Sequence, residues 1–376
     1  MPRLSLCMIV RNEHQHLARC LASAQPYVDE IVVVDTGSED DTIAIAQQFG
    51  SIVHAFTWCD DFAAARNFAL DRVAGDWILI LDADETLVVT QPEFRQQLDQ
   101  APDVIGYALV RTEITLTETD LTGGVHVRLF RSDRGLQYVG RYHEQLRQPN
   151  GQPLPVAAFP ALKIQHYGNS DDQAVLQKTI QRDIPLLEKM RQEGELSLWL
   201  LDCLARNYQR IQDSGQAQAC YAEALDRLLP HLMNGDRPED FFWVPTLMWT
   251  LAEQALAADD LEIGRMLLQR GLEWCPTHAP LNYLTGEFLV QLGFPLGAIP
   301  YFSTCLQLGQ TNTYYQVDPC PLPFITTEPA CALGRTYRQL GEIPAAIESF
   351  QFALSCDPDC PIARDNLEEL LGSSTL

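Results

Sequence analysis

The chain has 376 residues and carries 50 acidic against 26 basic side chains, a formal net charge of −24 at pH 7. This charge argues against broad nucleic-acid binding, which needs a cationic surface. No stretch reaches the roughly 18 apolar residues of a membrane span, and the N-terminal apolar run is too short for a signal peptide. We therefore expect a cytoplasmic protein with no transmembrane segment and more than one domain.

The cysteines point to a reducing compartment. There are 11 of them, scattered along the chain without paired spacing. Several lie inside apolar, helix-like patterns, and we interpret them as reduced thiols rather than a disulfide framework.

The first 85 residues alternate strand-like and helix-like segments. Continuous apolar runs predict strands buried on both faces, and amphipathic spacing predicts the helices between them. The predicted strands are 4–10, 30–35, 51–56 and 76–82, and the predicted helices are 14–24, 42–49 and 61–73. Asp40 or Asp41 is expected to cap the second helix. This order predicts a mostly parallel sheet covered by helices.

Shorter strands follow, and then helices continue almost to the end of the chain. The later strands are predicted at 106–111, 124–131 and 161–166, and helical periodicity resumes after 169–171.

The second half of the chain repeats a pattern of small and large residues that is typical of tetratricopeptide repeats. The four predicted units contain Ala205, Tyr208, Ala217, Tyr221 and Ala224; Ala252, Ala255, Gly264, Leu268 and Gly271; Gly286, Leu289, Ala298, Phe302 and Cys305; and Gly334, Tyr337, Ala346, Phe350 and Ala353. Insertions around 230–242 and 309–323 explain the longer offsets between some units. We predict a short solenoid of four helical hairpins, with helix pairs of generic amphipathic spacing as the alternative.

Polar residues follow three of the four early strands. Arg11 and Glu13 come after the first, Asp35 ends the second, and Asp82 and Asp84 come after the fourth. The carboxyl ends of parallel strands meet at one edge of a sheet, where α/β proteins bind ligands. Each carboxylate alone could be a turn or capping residue, but their clustering predicts a site.

Asp82 and Asp84 are separated by one small residue, so both carboxylates can face the same volume. Such oxygens repel unless a cation lies between them, and Mg²⁺ or Mn²⁺ prefers oxygen ligands while keeping positions for phosphate. The pair therefore indicates a metal-bridged diphosphate, and the metal would assist departure of a nucleoside diphosphate.

Four motifs in this order resemble the family 2 glycosyltransferases of the GT-A fold. The matching segments are 5–13, 28–38, 61–67 and 77–85. More narrowly, the chain is similar to the branch of lipopolysaccharide-core glucosyltransferases and bacteriocin peptide S-glycosyltransferases, some of which carry tetratricopeptide repeats. The resemblance implies an α/β GT-A domain, a Rossmann-like nucleotide-diphospho-sugar transferase, over 1–170. A connecting helix at 171–196 and an all-α tetratricopeptide-like solenoid at 197–376 would follow.

The resemblance also implies roles for matching residues on the donor side. Asp35 would accept a hydrogen bond from uracil, Asp82 would contact the ribose, and Asp84 would ligate the metal. Arg66 would lie near the diphosphate, a role compatible with a salt bridge to a neighbouring Asp. The predicted nucleotide-binding residues are Arg11, Glu13, Asp35, Arg66 and Asp82. Glu13 could equally stabilise a helix N-terminus.

An inverting transfer also needs a base that deprotonates the acceptor. Glu144 matches the place of an acidic motif in related enzymes and is our first candidate, with His143 second; a surface Glu in a polar loop is the alternative. His166 ends a predicted strand where some GT-A enzymes complete the metal shell, although a strand-end histidine can be simply hydrogen-bonded. Arg128 and Arg131 could bind donor phosphate or lie on a solvated face.

These observations predict an inverting glycosyltransferase that depends on Mn²⁺ or Mg²⁺ and uses a nucleotide-sugar donor, with UDP as the expected nucleotide. The acceptor would be a glycan, peptide or protein, and the repeats could bind it or a protein partner. A nucleotidyltransferase is disfavoured because no glycine-rich phosphate loop follows the first strand. The other alternative is a repeat-based scaffold with an inactive transferase domain, which would predict a broken metal motif.

Overall fold

The computed structural model describes residues 1–98, 100, 103–114, 124–152, 154–168, 172–194, 196–318 and 320–372. These residues form two compact units, one reaching Leu186 and the other beginning at Leu187. The predicted domain end at residue 170 and the predicted start of helical periodicity after 169–171 lie outside the described residues.

The first unit contains a mixed β-sheet. Its strands are β1 (Leu4–Val10), β2 (Glu30–Asp35), β3 (Ile52–Ala55), β4 (Trp77–Ile80), β5 (Glu85–Val89), β6 (Gly106–Glu113), β7 (Gly124–Arg131), β8 (Gln137–Val139), β9 (Gln145–Arg147) and β10 (Val156–His166). In the described part of the chain, eight strands form one sheet in the order β3-β2-β1-β4-β7-β6-β10-β5, and β8 pairs with β9 in a separate ribbon.

The four strands predicted in the first 85 residues are confirmed and run parallel to one another. The prediction of a mostly parallel sheet is confirmed for these four strands; the whole sheet is mixed, because β7 pairs with β4 and β6 in antiparallel orientation and β5 pairs with β10 in the same way. The later strands β6, β7 and β10 were also predicted, whereas β5, β8 and β9 were not.

Helices cover both faces of this sheet. The helices of the first unit are α1 (Leu17–Ala24), α2 (Thr42–Gln48), α3 (Phe62–Leu70), α4 (Phe94–Gln97) and α5 (Asp172–Lys178), and α6 (Ile184–Glu193) begins in it after a π-helical turn. Alternate residues of β1 explain the two layers. Leu6 and Met8 pack in one core with Leu21 of α1, whereas Cys7 packs in another with Ala69 of α3.

Acidic side chains fix the start of two of these helices. Asp40 accepts a hydrogen bond from the backbone N–H of Thr42 at 2.9 Å, and Asp61 accepts one from Ala64 at 2.9 Å. Of the two predicted capping residues, Asp41 occupies the N-cap position but its side chain makes no capping hydrogen bond, whereas Asp40, one residue earlier, accepts the bond from Thr42.

The second unit consists of helical hairpins. Its helices are α7 (Leu198–Arg210), α8 (Ser214–Asn234), α9 (Pro245–Ala257), α10 (Leu261–Trp274), α11 (Ala279–Gln291), α12 (Pro295–Thr311), α13 (Thr327–Leu340), α14 (Ile343–Cys356) and α15 (Pro361–Gly372). They pair as α7–α8, α9–α10, α11–α12 and α13–α14, which are the four predicted repeat units, and α15 packs on α14.

The third and fourth hairpins close where a small residue of the pattern faces a large one. A Cβ atom at Gly286 would lie 2.7 Å from Cζ of Phe302, and one at Gly334 would lie 2.6 Å from Cζ of Phe350. The same glycine–phenylalanine contact recurs in these two hairpins, which favours tetratricopeptide hairpins over generic helix pairs. Within the described ranges, no helix is long and apolar enough to cross a membrane.

Candidate active site

The carboxyl ends of β1, β2 and β4 meet at one edge of the sheet. Val10, the last residue of β1, pairs with Asp35, the last residue of β2, and β4 runs parallel along the other side of β1. Asp82 and Asp84 follow the end of β4. The parallel topology therefore brings the acidic residues of three strand ends to a common edge.

Asp35 is buried, with 4% of its surface exposed, and holds the turn after β2. Its carboxylate accepts hydrogen bonds from the backbone N–H of Gly37 at 3.0 Å and of Ser38 at 3.1 Å. Gly37 has a φ of 109°, a conformation that favours glycine. The Ser38 hydroxyl accepts a hydrogen bond from Asn12 N at 2.9 Å, which ties this turn to the loop after β1. Asp35 therefore has a fixed orientation at the edge of the sheet.

Asp82 is the centre of a charged network. Arg66 Nη2 donates to Asp82 Oδ1 at 2.8 Å, and Arg128 Nη2 donates to Asp82 Oδ2 at 2.9 Å. Arg128 also donates to Glu85 Oε1 at 2.8 Å, and Arg66 Nε donates to Glu144. Two guanidinium groups therefore hold three carboxylates together, while 33% of the Asp82 side chain stays exposed.

The network keeps its members charged. Loss of solvent around Asp82 would raise its pKa, but Arg128 and Arg66 outweigh this and hold that pKa well below its usual range. The pKa of Arg66 is raised well above its usual value, because Asp82 and Glu144 outweigh the effect of burial. The arginines thus present fixed positive charge beside an ionised, partly exposed carboxylate, a pattern suited to a ligand with hydroxyl and phosphate groups.

The two arginines of β7 lie in different environments. Arg128 is buried and paired within the network, so a solvated face is wrong for it. Arg131 pairs in register with Trp77, the first residue of β4, and therefore lies toward the opposite edge of the sheet from Asp82. Its guanidinium forms an ion pair with Asp133. Arg131 therefore cannot bind phosphate together with Arg128, because the antiparallel direction of β7 places Arg131 away from Asp82.

Asp84 faces His166 across the same edge. Asp84 Oδ2 lies 3.5 Å from His166 Nε2, and the backbone O of Asp84 accepts a hydrogen bond from Tyr167 N at 2.8 Å. His166 Nδ1 lies 2.6 Å from Glu113 Oε2. The register explains this contact, since His166, at the end of β10, pairs with Glu113, at the end of β6. The prediction that Asp84 and His166 lie together agrees with the structure.

This arrangement fits a metal ion in several respects. A carboxylate bound to the far nitrogen of a ligating histidine fixes the ring and raises its basicity, which is the position of Glu113. A Cβ atom at Gly168 would overlap Asp84 Oδ2 and lie 2.6 Å from His166 Nε2, so the glycine keeps space free beside both groups. Across the residues that the structure describes, no three acidic, imidazole or thiol side chains are grouped for a metal. Two protein ligands suit an ion that also binds diphosphate.

The electrostatics of Asp84 and His166 reflect their mutual contact. Burial lowers the pKa of His166, but hydrogen bonds to Asp84 and Glu113 outweigh it and raise this pKa to about 9. Burial raises the pKa of Asp84, and the hydrogen bond with His166 outweighs it, so this pKa lies below its usual value. Without a metal ion the pair is therefore an imidazolium–carboxylate ion pair, and a bound cation would replace the imidazolium proton.

Glu13 and Arg11 lie on the loop after β1. The backbone O of Glu13 accepts hydrogen bonds from His16 N and Leu17 N at the start of α1, and its side chain accepts one from Lys178 Nζ at 3.0 Å. Burial raises the pKa of Glu13, although Lys178 opposes this. Arg11 is exposed. The side chain of Glu13 is thus ion-paired with Lys178, and its hydrogen bonds to the start of α1 are made by its backbone.

Glu144 and His143 follow the β8 strand. The Glu144 side chain is mostly buried against Arg66, whereas His143 is exposed and has a φ of 52°. Asn67, the neighbour of Arg66 on α3, pairs with the backbone of Tyr138 in β8 through Nδ2–O at 2.9 Å and N–Oδ1 at 2.8 Å. Two adjacent side chains of α3 therefore hold the Glu144 loop against the Asp82 network, so Glu144 is not a freely solvated surface residue.

Three residues of this edge were missed by sequence reasoning. Glu85 is fully buried beside Arg128, and Glu113 supports His166. Both contacts depend on strand pairing, because the partners are 43 and 53 residues apart along the chain. Lys178 reaches Glu13 from α5. A prediction of β6 extended by two residues would have placed Glu113 beside His166; periodicity gave no signal for Lys178.

A comparison with protein families identifies the class of domain that carries this edge. The family model described as Glycosyl transferase family 2 matches residues 5–132. Residues 5–132 form a family 2 glycosyltransferase domain. The family 2 domain includes β1 to β7 and therefore Asp35, Asp82 and Asp84, whereas Glu144 and His166 lie beyond it.

Similar proteins are named either for tetratricopeptide repeats or for glycosyl transfer. A TPR repeat-containing protein of Synechococcus elongatus is 40% identical over 212 residues, which are 54% of this chain and 49% of that protein. The SPbeta prophage-derived glycosyltransferase SunS of Bacillus subtilis is 27% identical over 205 residues, 53% of this chain and 48% of SunS. A glycosyltransferase of Rickettsia felis is 41% identical over 87 residues, 23% of this chain and 30% of that protein. The chain spans about half the length of the first two relatives.

Proposed function

We propose that the chain is an inverting, metal-dependent glycosyltransferase that moves a sugar from a UDP-sugar to a glycan, peptide or protein acceptor. The observation that carries this proposal is the pairing, at one sheet edge of a family 2 domain, of the Asp82 network with the Asp84–His166 pair. The first offers hydrogen bonds and positive charge to a nucleotide, and the second offers ligands to a cation.

On the donor side, Asp35 and Asp82 would bind the uracil and the ribose. Asp35 keeps unused lone pairs beside its two turn hydrogen bonds, since a carboxylate can accept about four. Arg66 would lie near the diphosphate, and Arg11 and Glu13 would line the nucleotide edge. Arg128 orients Asp82 through its ion pair, and it adds positive charge near the phosphates.

Asp84 and His166 would hold Mn²⁺ or Mg²⁺, with Glu113 fixing the histidine ring. The ion, when bound, supplies Lewis-acid stabilisation of the negative charge that develops on the departing diphosphate. Gly168 keeps the necessary volume free. All remaining steps fall to side chains of the protein.

Glu144 is the proposed base, and the exposed His143 is the second candidate. As the acceptor oxygen or sulfur attacks the anomeric carbon, Glu144 takes its proton, and the bond from that carbon to the diphosphate oxygen breaks with its electron pair leaving on the diphosphate. Attack opposite the leaving group inverts the anomeric configuration. Arg66 contacts both Glu144 and Asp82, so it positions the base next to the donor subsite.

The tetratricopeptide hairpins would bind the acceptor or a protein partner, because stacked repeats offer an extended concave surface. This would explain why one chain combines a transferase domain with a repeat domain.

The test is a panel of nucleotide sugars examined by thermal shift and by hydrolysis, with and without Mn²⁺. We expect UDP-linked sugars to raise the melting temperature more when the metal is present than when it is absent, and at least one to be hydrolysed slowly in the absence of acceptor. Stabilisation by no nucleotide sugar, together with no hydrolysis, would favour the alternative of a repeat-based scaffold with an inactive transferase domain.

A further inference from the structure

The insertion between α12 and α13 lies against the first helices of the preceding hairpins. We call described residues 312–318 and 320–326 the insert. Phe324 of the insert packs edge-on against Trp249 of α9 and Tyr283 of α11, with ring centroids 5.5 and 5.3 Å apart. Tyr315 lies 5.4 Å from the ring of His278, which caps α11. The aromatic side chains of the insert therefore contact the first helices of two adjacent repeats, α9 and α11.

The insert also makes hydrogen bonds of the kind that a bound peptide makes. Tyr315 N donates to the backbone O of Thr277 at 2.9 Å, and Tyr315 Oη donates to the backbone O of Phe242 at 2.7 Å. Phe242 belongs to the other predicted insertion, between α8 and α9. Both segments that interrupt the repeat period thus meet over the first helices, and the insert is held there by aromatic and backbone contacts.

The fit between the insert and the helices is incomplete. Asp318 Oδ2 is buried and has no hydrogen-bond partner among the described residues. In α7, Arg206 Nη2 lies 2.6 Å from Asp202 Oδ2, yet neither oxygen of Asp202 accepts a well-formed hydrogen bond in the described structure. Asp202 and Asp318 repel each other. A buried polar group without a partner is destabilising, which lowers the free energy needed to lift the insert.

A small cavity remains beneath the insert. It has a volume of about 20 Å³ and is lined by Thr246, Trp249 and His278 of the helices and by Tyr315 and Asp318 of the insert. This is room for about one water molecule, so the insert covers a polar surface without filling it.

We propose that the first-helix face of the repeats is a groove for an extended peptide segment with aromatic side chains, and that the insert is an intramolecular occupant which such a segment displaces. The insert itself defines the chemistry, because Tyr315 and Phe324 supply the aromatic anchors, whereas the unpartnered Asp318 between them is the part of the insert that the groove does not accommodate. This inference goes beyond glycosyl transfer and does not depend on it.

The first experiment measures displacement in the full-length chain. The probe is a synthetic peptide with the sequence of residues 312–326 and Ser in place of Cys320, labelled for fluorescence anisotropy. Tyr315→Phe combined with Phe324→Ala should free the groove, and we expect the peptide to bind this variant at least tenfold more tightly than the wild type. Tyr314→Phe is the matched control and should behave like the wild type. Equal binding to the wild type and the double variant, or binding to neither, would overturn the proposal.

The second experiment needs no variant and so does not depend on how well the double variant folds. Hydrogen exchange is followed at the Tyr315 amide and at amides within α11 of the wild-type chain. Excess peptide should accelerate exchange at Tyr315 several-fold and leave α11 unchanged. If the Tyr315 amide exchanges as slowly as the α11 amides, and saturating peptide does not change its rate, the insert is a permanent part of the repeat core. This result would contradict the proposal.

Discussion

Replacement of Gly168 by alanine tests the metal site through the space beside it. The glycine lies next to Asp84 and His166, whose facing atoms are 3.5 Å apart. The added Cβ atom would lie 2.6 Å from His166 Nε2 and overlap Asp84 Oδ2, so one or both side chains must move. No charge and no ligand are removed, which separates the geometry of the site from its chemistry.

The size of the expected effect follows from how strongly the affinity for a metal ion depends on the positions of its ligands. Moving the partners of a metal site typically lowers affinity or activity about 10- to 100-fold, which is about 1.4–2.8 kcal/mol. The alanine would displace at least one of the two proposed ligands, so we expect the Mn²⁺ affinity of Gly168→Ala to fall within or beyond this range. UDP binding without metal should change little, since Asp35 and Asp82 lie on other segments.

Isothermal titration of Mn²⁺ in the presence of UDP measures this effect directly. Gly194→Ala is the matched control, because a Cβ atom at Gly194 would meet nothing within 4 Å. Thermal melting of the metal-free proteins shows whether either change unfolds the chain. If folded Gly168→Ala binds Mn²⁺ and UDP as tightly as the wild type, the ion does not lie between Asp84 and His166.

Three further predictions concern the base, a buried acid and the repeats. Glu144→Gln should bind UDP normally but lose transfer by at least about 100-fold, within the usual contribution of a general base, and normal turnover would exclude Glu144 from this role. Burial raises the pKa of Asp202 from 3.8 to about 6, so its contribution to stability is present at low pH and is lost as the pH rises through about 6. The stability difference between wild type and Asp202→Asn in urea unfolding should therefore change by up to about 3 kcal/mol between pH 4 and pH 7, and a difference constant with pH would refute this. Gly286→Ala should destabilise the repeats by about 1–3 kcal/mol through overlap with Phe302. Gly297→Ala on the next helix should not, because its Cβ atom would lie in ordinary van der Waals contact, 3.7 Å from Leu289 and 3.9 Å from Phe294; equal melting temperatures would contradict the packing described.

The strand ends of the first unit were predictable because they depend on local patterns. Continuous aliphatic runs mark β1, β2 and β4, and parallel strands necessarily bring Asp35 and Asp82 to one edge. The repeat hairpins were predictable for a similar reason, since small residues such as Gly286 recur at fixed distances from large ones.

The electrostatic partners of the site were not predictable in the same way. Glu85 directly follows the Asp82–Asp84 turn and looks like a solvent-facing acid, yet it is buried because antiparallel β7 places Arg128 over it. Glu113 meets His166 only through the pairing of β6 with β10. Such contacts depend on the register of strands far apart in sequence, which periodicity within one segment does not encode.

Whether Asp84 ligates a metal ion that binds UDP is tested most directly by UDP binding to Asp84→Asn with and without Mn²⁺. The measurement is isothermal titration, with the wild type for comparison. Asp133→Asn is a suitable control, because Asp133 is an exposed acid of the same unit that pairs with Arg131. We expect Mn²⁺ to strengthen UDP binding about tenfold or more, which is about 1.4 kcal/mol, in the wild type and in Asp133→Asn, because the ion also binds phosphate. Asp84→Asn should lose this dependence. Metal-dependent UDP binding in Asp84→Asn that equals the wild type would contradict this expectation.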